Sequence, residues 1–537
     1  MSTVIEANKA AENKGQAVTI RVYNTLTRTK EPLQPVAPGK VGIYLCGPTV
    51  YDKAHIGHMV GPAIFDTIKR YLTYCGYDVT WVVNITDVDD KLIKKANDRG
   101  ISMSEVAEEN TADYLNNLAA LGVDQIDHMP RATETMGEII DFIQKLIDRG
   151  FAYEVDGDVF FDVGKDGEYG KLTNRTPDQL QGDGGEAAAK KRSAADFALW
   201  KLAKPDEPSW ESPWGAGRPG WHIECSAMSR NLLGETFDIH GGGLDLIFPH
   251  HENEIAQSEC CHGKPMANVW MHNGLLRREQ AGKLGGRGDR VELPEDNITF
   301  ERIEEATDLK EARSKGSGGL AEQIRELGGE TIRFFLLRTH YRSTVLFSDG
   351  AVDEARTSLD TFYRFFERHE RASGQSFYDI SPIASRDDAA IDAGDDPLLA
   401  NVRDRRDSFL EKMDDDFNTG GAISELFELV RLLNRFVDEN NLEDVQQRRA
   451  SALQSFKRGT ATLRELSAIL GLFLKPIEVS TGDDDALVGK LMNLLMGIRA
   501  ESRKKKDFAT ADKIRDDLEG LGITLEDRKG ETDWRIE

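Results

Sequence analysis

Within the first hundred residues an apolar run, a helical run and a second apolar run follow one another, and that order leaves few folds open. Val41 to Cys46 reads as a buried strand. Val60, Ile64, Ile68 and Leu72 recur every four residues, which is the spacing of one helix face. Val79 to Ile85 (Val-Thr-Trp-Val-Val-Asn-Ile) is β-branched and aromatic and reads as the next buried strand. Strand, helix and strand in this order predict a parallel βαβ unit. Between the first strand and its helix lies Pro48-Thr49-Val50-Tyr51-Asp52-Lys53-Ala54-His55-Ile56-Gly57-His58. A strand's carboxyl end meeting a helix N-terminus is the usual ligand crevice of a parallel sheet. Backbone N–H groups and the helix dipole favour phosphate there. His55 and His58 add donors, and Gly57 lets a nucleotide base approach the backbone closely.

The chain has 537 residues, enough for about three or four domains. No run of about 18 apolar residues occurs, so no membrane span is expected. Met1 to Ala17 is polar and lacks an apolar signal core, which predicts a disordered tail (1–17) on a non-secreted, cytoplasmic protein. Five cysteines, an odd and sparse set, argue for reduced thiols rather than a disulfide framework. The formal charge of −25 argues against a general nucleic-acid coat. A local basic patch, Arg503-Lys504-Lys505-Lys506, keeps a nucleic-acid partner open, although such a run is also what a solvated helix face carries.

Farther on, Ile139, Ile140, Ile143, Leu146 and Ile147 mark a helix stopped by Gly150. Residues 180–195 are Gly-, Ala-, Lys- and Asp-rich and read as a mobile loop, and Arg277 to about Ala312 reads as an irregular insert. Beyond Asp349 the pattern is helical, with Phe362, Phe365 and Phe366, then Leu426, Leu429, Leu432, Leu433 and Phe436. A polar segment from about Ser373 to Asp396 interrupts it, and the last fifty or so residues predict two helices and a short tail.

In Phe248-Pro249-His250-His251-Glu252-Asn253-Glu254, a helix starting at Pro249 would suit the fixed φ of proline and stack His250 on Glu254, four residues apart. Cys46 ends an apolar run before Gly47-Pro48, and Cys225 lies in Gly220-Trp221-His222-Ile223-Glu224-Cys225-Ser226. Two thiolates, an imidazole and a carboxylate make a plausible zinc set. By residue type alone the plainer reading stays open: single cysteines are commonly small core residues, and a His/Glu pair at this spacing is commonly a surface pair.

Jointly the motifs resemble those of the cysteinyl-tRNA synthetases, which are class I aminoacyl-tRNA synthetases. The resemblance runs from about Ile20 to Trp534. It is carried by Cys46 to Tyr51, His55-Ile56-Gly57-His58, Asn84-Ile85-Thr86-Asp87-Val88-Asp89-Asp90-Lys91, Gly220 to Met228, His240-Gly241-Gly242-Gly243, Phe248 to Gln257 and Met271-His272-Asn273-Gly274. It implies that Cys46, Cys225, His250 and Glu254 hold one Zn²⁺, which also takes the substrate thiolate. Cys46, Gly47, Thr86, Trp221 and Asp245 would line the cysteine site, with Trp221 over the amino acid and Thr86 and Asp245 near its ammonium group. Cys75, Cys260 and Cys261 match no ligand position. The implied reaction forms cysteinyl-adenylate from cysteine and ATP with Mg²⁺, then passes the acyl group to cysteine tRNA. His55, Gly57 and His58 would bind ATP, with His55 and His58 stabilising its phosphates.

The second class I signature, Lys-Met-Ser-Lys-Ser, is missing as a string. Its nearest counterpart is Ala312-Arg313-Ser314-Lys315-Gly316, so Lys315 is expected to be the mobile ATP-binding lysine, with Lys283 a lesser substitute. The resemblance assigns Arg503, Phe508, Asp512 and Asp527 to the anticodon; Phe508 stands where the family often has tryptophan, and either ring can stack on an unpaired base.

The expected fold is an α/β Rossmann-like catalytic core with an insertion domain, followed by an all-α bundle and a small C-terminal anticodon-binding domain. Expected boundaries are 18–275 for the catalytic domain with an insertion at about 115–220, and 276–312 for an atypical insert. The signature loop would occupy 313–350, the bundle 351–480 and the anticodon domain 481–537. A monomer is expected, with cysteine, ATP and cysteine tRNA as partners. One rival is a cysteine ligase acting on a small amine, which would be expected to lack the last domain; the other is a catalytically silent cysteine- or tRNA-binding regulator.

Overall fold

The computed structural model describes residues 19–174, 189–205, 207–278, 320–389, 391–476, 483–527 and 532–536. It divides into two compact units, Met1–Leu474 and Lys475–Glu537.

The first unit opens with a hairpin, β1 (Arg21–Asn24) and β2 (Thr29–Pro32). β3 (Lys40–Leu45), α1 (Gly57–Tyr74) and β4 (Asp78–Val83) then form the βαβ unit, with Val41 opposite Val79 and Ile43 opposite Trp81 in parallel register. Ile43, Tyr44, Trp81, Val82 and Val83 are all buried, which is why these strands read as continuous apolar runs rather than alternating ones. β9 (Phe237–Gly243) and β10 (Ala267–Asn273) complete a parallel sheet in the order β10-β9-β3-β4. The chain leaves β3 to one side and returns on the other. That change of direction opens a crevice beyond the carboxyl ends of the strands.

Between β4 and β9 come α2 (Asp90–Arg99), α3 (Met103–Ala120) and α4 (Met136–Asp148). Asp89 caps α2 by accepting from the Lys91 N–H, and Ser102 with Glu105 forms a capping box on α3. The apolar stripe of α4 (Ile139, Phe142, Ile143, Leu146) packs in a cluster with Phe161, Leu199 and Trp200, and Gly150 follows the helix at φ +82°. An antiparallel sheet, β5 (Ala152–Val155), β6 (Asp158–Phe161), β7 (Phe197–Leu202) and β8 (Gly217–Pro219), leads into α5 (Trp221–Leu233).

α6 (Glu252–His262) follows a π-type turn over Ile247–His251, entered through Phe248 in extended conformation. After β10, β11 (Leu276–Arg278) pairs in parallel with β12 (Val345–Phe347). α7 (Leu320–Leu327) and α8 (Gly329–Leu337) lie between them in sequence. The bundle comprises α9 (Asp349–Ser373), α10 (Pro397–Asp414), α11 (Thr419–Glu439) and α12 (Ala450–Ile469). One core runs from the parallel sheet through Ile332, Phe334 and Phe335 to Phe362, Leu426, Leu429 and Phe456.

The second unit contains α13 (Asp483–Lys504), α14 (Phe508–Glu519) and a hairpin, β13 (Ile523–Asp527) with β14 (Thr532–Ile536). The tail expected after the two helices is therefore a strand. Trp534 stands opposite Leu525, a cross-strand pairing that a five-residue run does not announce by periodicity. Among the described residues no helix is long and apolar enough to cross a membrane.

Candidate metal centre and nucleotide site

The carboxyl ends of all four parallel strands feed the crevice. Cys46 follows β3, the Asn84-Ile85-Thr86 segment follows β4, His240 to Gly243 ends β9, and His272 and Asn273 end β10. Cys225 comes from α5, and His250 and Glu254 come from the turn and first part of α6. These distant segments converge. Cys46 Sγ lies 3.9 Å from Cys225 Sγ and 3.4 Å from Glu254 Oε1, and His250 Nε2 lies 2.9 Å from the same oxygen. All four donor atoms fall within 4.8 Å of one another. Zinc bonds of about 2.0–2.3 Å put tetrahedral donors about 3.3–3.8 Å apart, so the set fits a zinc ion with small adjustments.

A shell of histidines surrounds the four. Glu254 Oε2 lies 2.8 Å from His240 Nε2, and His250 Nδ1 lies 3.0 Å from His222 Nδ1. His251 Nδ1 lies 2.8 Å from His272 Nε2, whose Nδ1 is 2.8 Å from Thr25 Oγ1. Cys46, His240, His251 and Glu254 also form a group within 4.8 Å. The first set suits a soft cation better because it has two sulfurs. His240 instead stacks on Trp270 at 4.3 Å and orients the carboxylate, the usual place of an outer partner.

Burial and mutual contact shift the titration of all four side chains of the set. Burial opposes ionisation of Glu254, but the adjoining His240 and His250 hold its carboxyl far below the usual range. Burial likewise opposes the Cys225 thiolate, yet hydrogen bonding from Cys46 and His250 brings the thiol down to about 6. His250, despite burial, is pushed up to about 10 by the Glu254 charge and by Cys225. Cys46 is raised, first by burial and then by its bond to Cys225. Burial keeps His251 and His222 well below the ordinary imidazole value and takes His272 down to about 3. Without a metal, Glu254 is ionised beside a protonated His250, Cys46 stays a thiol, and the outer His222, His251 and His272 are neutral. A bound cation would take the place of the His250 and Cys46 protons. This Cys/His/Glu cluster is compatible with zinc.

Trp221 opens α5, its ring 4.3 Å from that of His250, and remains 37% exposed, so it covers the cluster from the solvent side. Thr86 is buried; its hydroxyl donates to Glu224 Oε2 at 3.0 Å and accepts from Asn84 Nδ2 at 3.2 Å. Asn84 also accepts from the Gly47 N–H at 2.8 Å. A Cβ at Gly47 would lie 1.8 Å from the Asn84 carbonyl oxygen, so only glycine fits beside Cys46. Asp245 sits in the turn Leu244–Leu246, two residues beyond Gly243, which ends β9 and caps the turn.

In the nucleotide crevice, Gly57 begins α1 and the His55 and His58 rings stack with centroids 3.7 Å apart. The His55 N–H donates to His58 Nδ1 at 3.3 Å, which leaves Nε2 as the proton-bearing nitrogen of His58. Lys315 and Lys283 lie outside the described residues, as does most of the expected 276–312 insert. Arg503, Phe508 and Asp512 are exposed in the second unit: Arg503 in the last turn of α13, Phe508 and Asp512 four apart on α14. Asp527 ends β13.

Sequence reasoning gave no role to His222, His240, His251, His272, Asn84 or Glu224. Each stood inside a motif that had been singled out, so the motifs held the signal although their partners did not.

The chain matches the model of the class I (C) tRNA synthetase catalytic domain over residues 32–284. A DALR domain matches 408–475, and the cysteinyl-tRNA ligase anticodon binding domain matches 490–535. It is 43% identical to a cysteine–tRNA ligase of Geobacillus thermodenitrificans, over 96% of this chain and 99% of that protein. It is 41% identical to a cysteine–tRNA ligase of Geobacter metallireducens, over 97% of this chain and 100% of that one. Among solved structures, methionyl-tRNA synthetase of Mycobacterium tuberculosis in complex with methionyl-adenylate shares the fold. The TM-score is 0.53 at 15% identity, covering 85% of this chain and 94% of the other. Near-complete coverage at that identity, with catalytic and anticodon-binding models in chain order, makes this chain a member of the cysteine–tRNA ligase family of class I synthetases.

Proposed function

We propose that this chain selects cysteine with one Zn²⁺ held by Cys46, Cys225, His250 and Glu254. The family's reaction is ATP-dependent ligation of cysteine to tRNA through cysteinyl-adenylate, and its substrates are the amino acid, ATP and tRNA. The supporting observation is that four donors from three distant segments lie within 4.8 Å of one another. A bound zinc supplies a soft Lewis acid that prefers a thiolate to a hydroxyl, so serine is refused without a second, editing site.

The remaining work falls to side chains that position and stabilise. Thr86, its own proton committed to Glu224, offers its oxygen to the amino acid's ammonium group, with Asp245 supplying charge. Trp221 shields the bound amino acid from water, and Gly47 lets it lie against the backbone. His55 and His58 donate to phosphate oxygens as charge builds during adenylate formation; Gly57 gives the base room, and Lys315 reaches the same phosphates. Mg²⁺ accompanies ATP. Arg503, Phe508, Asp512 and Asp527 read the anticodon, Phe508 by stacking. The chain works as a cytoplasmic monomer, with catalytic region 18–275, signature region 313–350, bundle 351–480 and anticodon domain 481–537.

The test is ATP–pyrophosphate exchange by the purified chain, followed by charging of cysteine tRNA. Exchange should require cysteine and be negligible with serine. Equal exchange with both amino acids would refute selection through sulfur.

A further inference from the structure

Helix α3 has two kinds of buried face. Val106, Tyr114 and Leu118 pack into the main core. Asn110 and Asn117 are also buried, at 6% and 3% exposure, where an amphipathic helix ordinarily places carbon. A buried amide persists when its hydrogen bonds are met. Here they are met along one polar stripe, Asn110, Asp113 and Asn117, which faces the loop joining β3 to α1.

Asn110 Nδ2 donates to the Val50 carbonyl at 3.0 Å. Asp113 Oδ2 accepts from the Ala54 N–H at 3.0 Å and from Asn117 Nδ2 at 3.1 Å. From the opposite side the Val50 N–H donates to the Thr86 carbonyl at 3.2 Å. Ala54 and Ile56, which flank His55, are buried at 6% and 8% exposure. The backbone just before His55 is therefore fixed by α3 as well as by the sheet. Its position matters at once, because the next N–H, that of His55, is the donor to His58 Nδ1 and the two rings are in stacking contact.

We propose that Asn110 and Asp113 are positioning residues for the His55–His58 pair. Without touching substrate, they set where the two imidazoles meet the phosphates of ATP. The proposal rests on reading that pair as phosphate-stabilising donors. It separates α3 from a merely supporting helix, since Asp113 spends its carboxylate on the peptide immediately ahead of the first histidine.

Cysteine-dependent ATP–pyrophosphate exchange by the full chain tests it, with Asp113→Ala, Asp113→Asn, Asn110→Ala and the two histidine variants His55→Ala and His58→Ala. Asp113→Ala should lower kcat by roughly tenfold to a hundredfold, the scale of a small misplacement near reacting groups. Its KM for cysteine and its bound zinc should stay within about twofold of the parent, because a loss confined to the transition state leaves ground-state binding alone. Asp113→Asn should recover most of kcat, since its carbonyl still accepts from Ala54. Asn110→Ala, which removes only the Val50 contact, should show the same split and serves if Asp113→Ala does not fold. The proposal is overturned if the alanine variants keep the parental kcat, or if kcat, zinc and cysteine affinity fall together. Exchange untouched by both histidine variants would instead overturn the reading of the pair, and the proposal with it.

Discussion

At the residue scale, Glu254 does the most. One oxygen faces His250 and Cys46, the other accepts from His240, and the side chain is fully buried. Glu254→Gln keeps the shape, removes the charge and turns an N–H₂ toward a ring nitrogen or a metal donor. Zinc affinity should fall at least tenfold in chelator competition, the lower end of what perturbing a ligand's surroundings costs; an unchanged affinity would remove Glu254 from the proposed set. Its place in the cluster was legible in sequence because His250 and Glu254 share a helical spacing and because Cys46 and Cys225 are chemically conspicuous types. The histidines around them were not legible in the same way. His240 becomes a carboxylate partner, and His272 a partner of His251, only when β9, β10 and α6 are brought together. Sequence periodicity records which face a residue takes, not which residue from another segment it meets.

At the element scale, polar residues tie the sheet to the bundle. Arg333 on α8 is 1% exposed and donates to Asp66 of α1 at 2.5 Å, to the Leu121 and Gly122 carbonyls, and to the Leu470 carbonyl after α12. Arg333→Met leaves Asp66 with Arg70 as its remaining ion-pair partner. Stability should drop by about 3–5 kcal/mol in chemical denaturation, the usual cost of breaking a buried ion pair; a loss under 1 kcal/mol would mean that the bond network does not brace the core. On α9, burial and the Lys457 charge lower His369 to about 4. Its unfolded value is about 6.5, so the unfolded chain takes up the proton first as pH falls. The stabilisation is complete above pH 6.5 or so and fades as pH drops toward 4. From pH 7 to pH 5 the parent should lose roughly 2 kcal/mol more than His369→Leu, measured by urea unfolding at each pH; equal losses would show His369 titrating normally. Strands β3 and β4 and helices α1 and α4 were readable because their apolar spacing is regular over six residues or more. β14 was not, since a strand of five residues depends on its partner β13 for identity.

At the scale of the whole molecule, the chain divides after Leu474, and the proposed anticodon contacts all fall in the second unit. Phe508 is 57% exposed at the start of α14, which leaves much of its ring open to stack on a base. Phe508→Ala should lower the efficiency of tRNA charging about tenfold or more, the value of one stacked base, while pyrophosphate exchange stays at the parental rate. A variant that charges tRNA normally would take Phe508 out of RNA recognition. The anticodon domain was legible through the family resemblance; composition alone left the basic patch at Arg503 to Lys506 open as a solvated helix face. The signature lysine was harder to locate because its usual string is absent, and Lys315 was chosen because Ser314-Lys315 keeps the centre of that string at a fitting place in the chain order.

The most direct test concerns the ion on which selectivity depends. Zinc content should be measured by elemental analysis of the purified parent and of Cys225→Ser, with cysteine binding titrated by calorimetry on the same samples. The parent should carry about one zinc per chain and bind cysteine, and the variant should lose both, since a hydroxyl is a poor replacement for a thiolate ligand. A zinc-free parent that still binds cysteine, or a Cys225→Ser protein that retains metal and cysteine alike, would contradict recognition through sulfur.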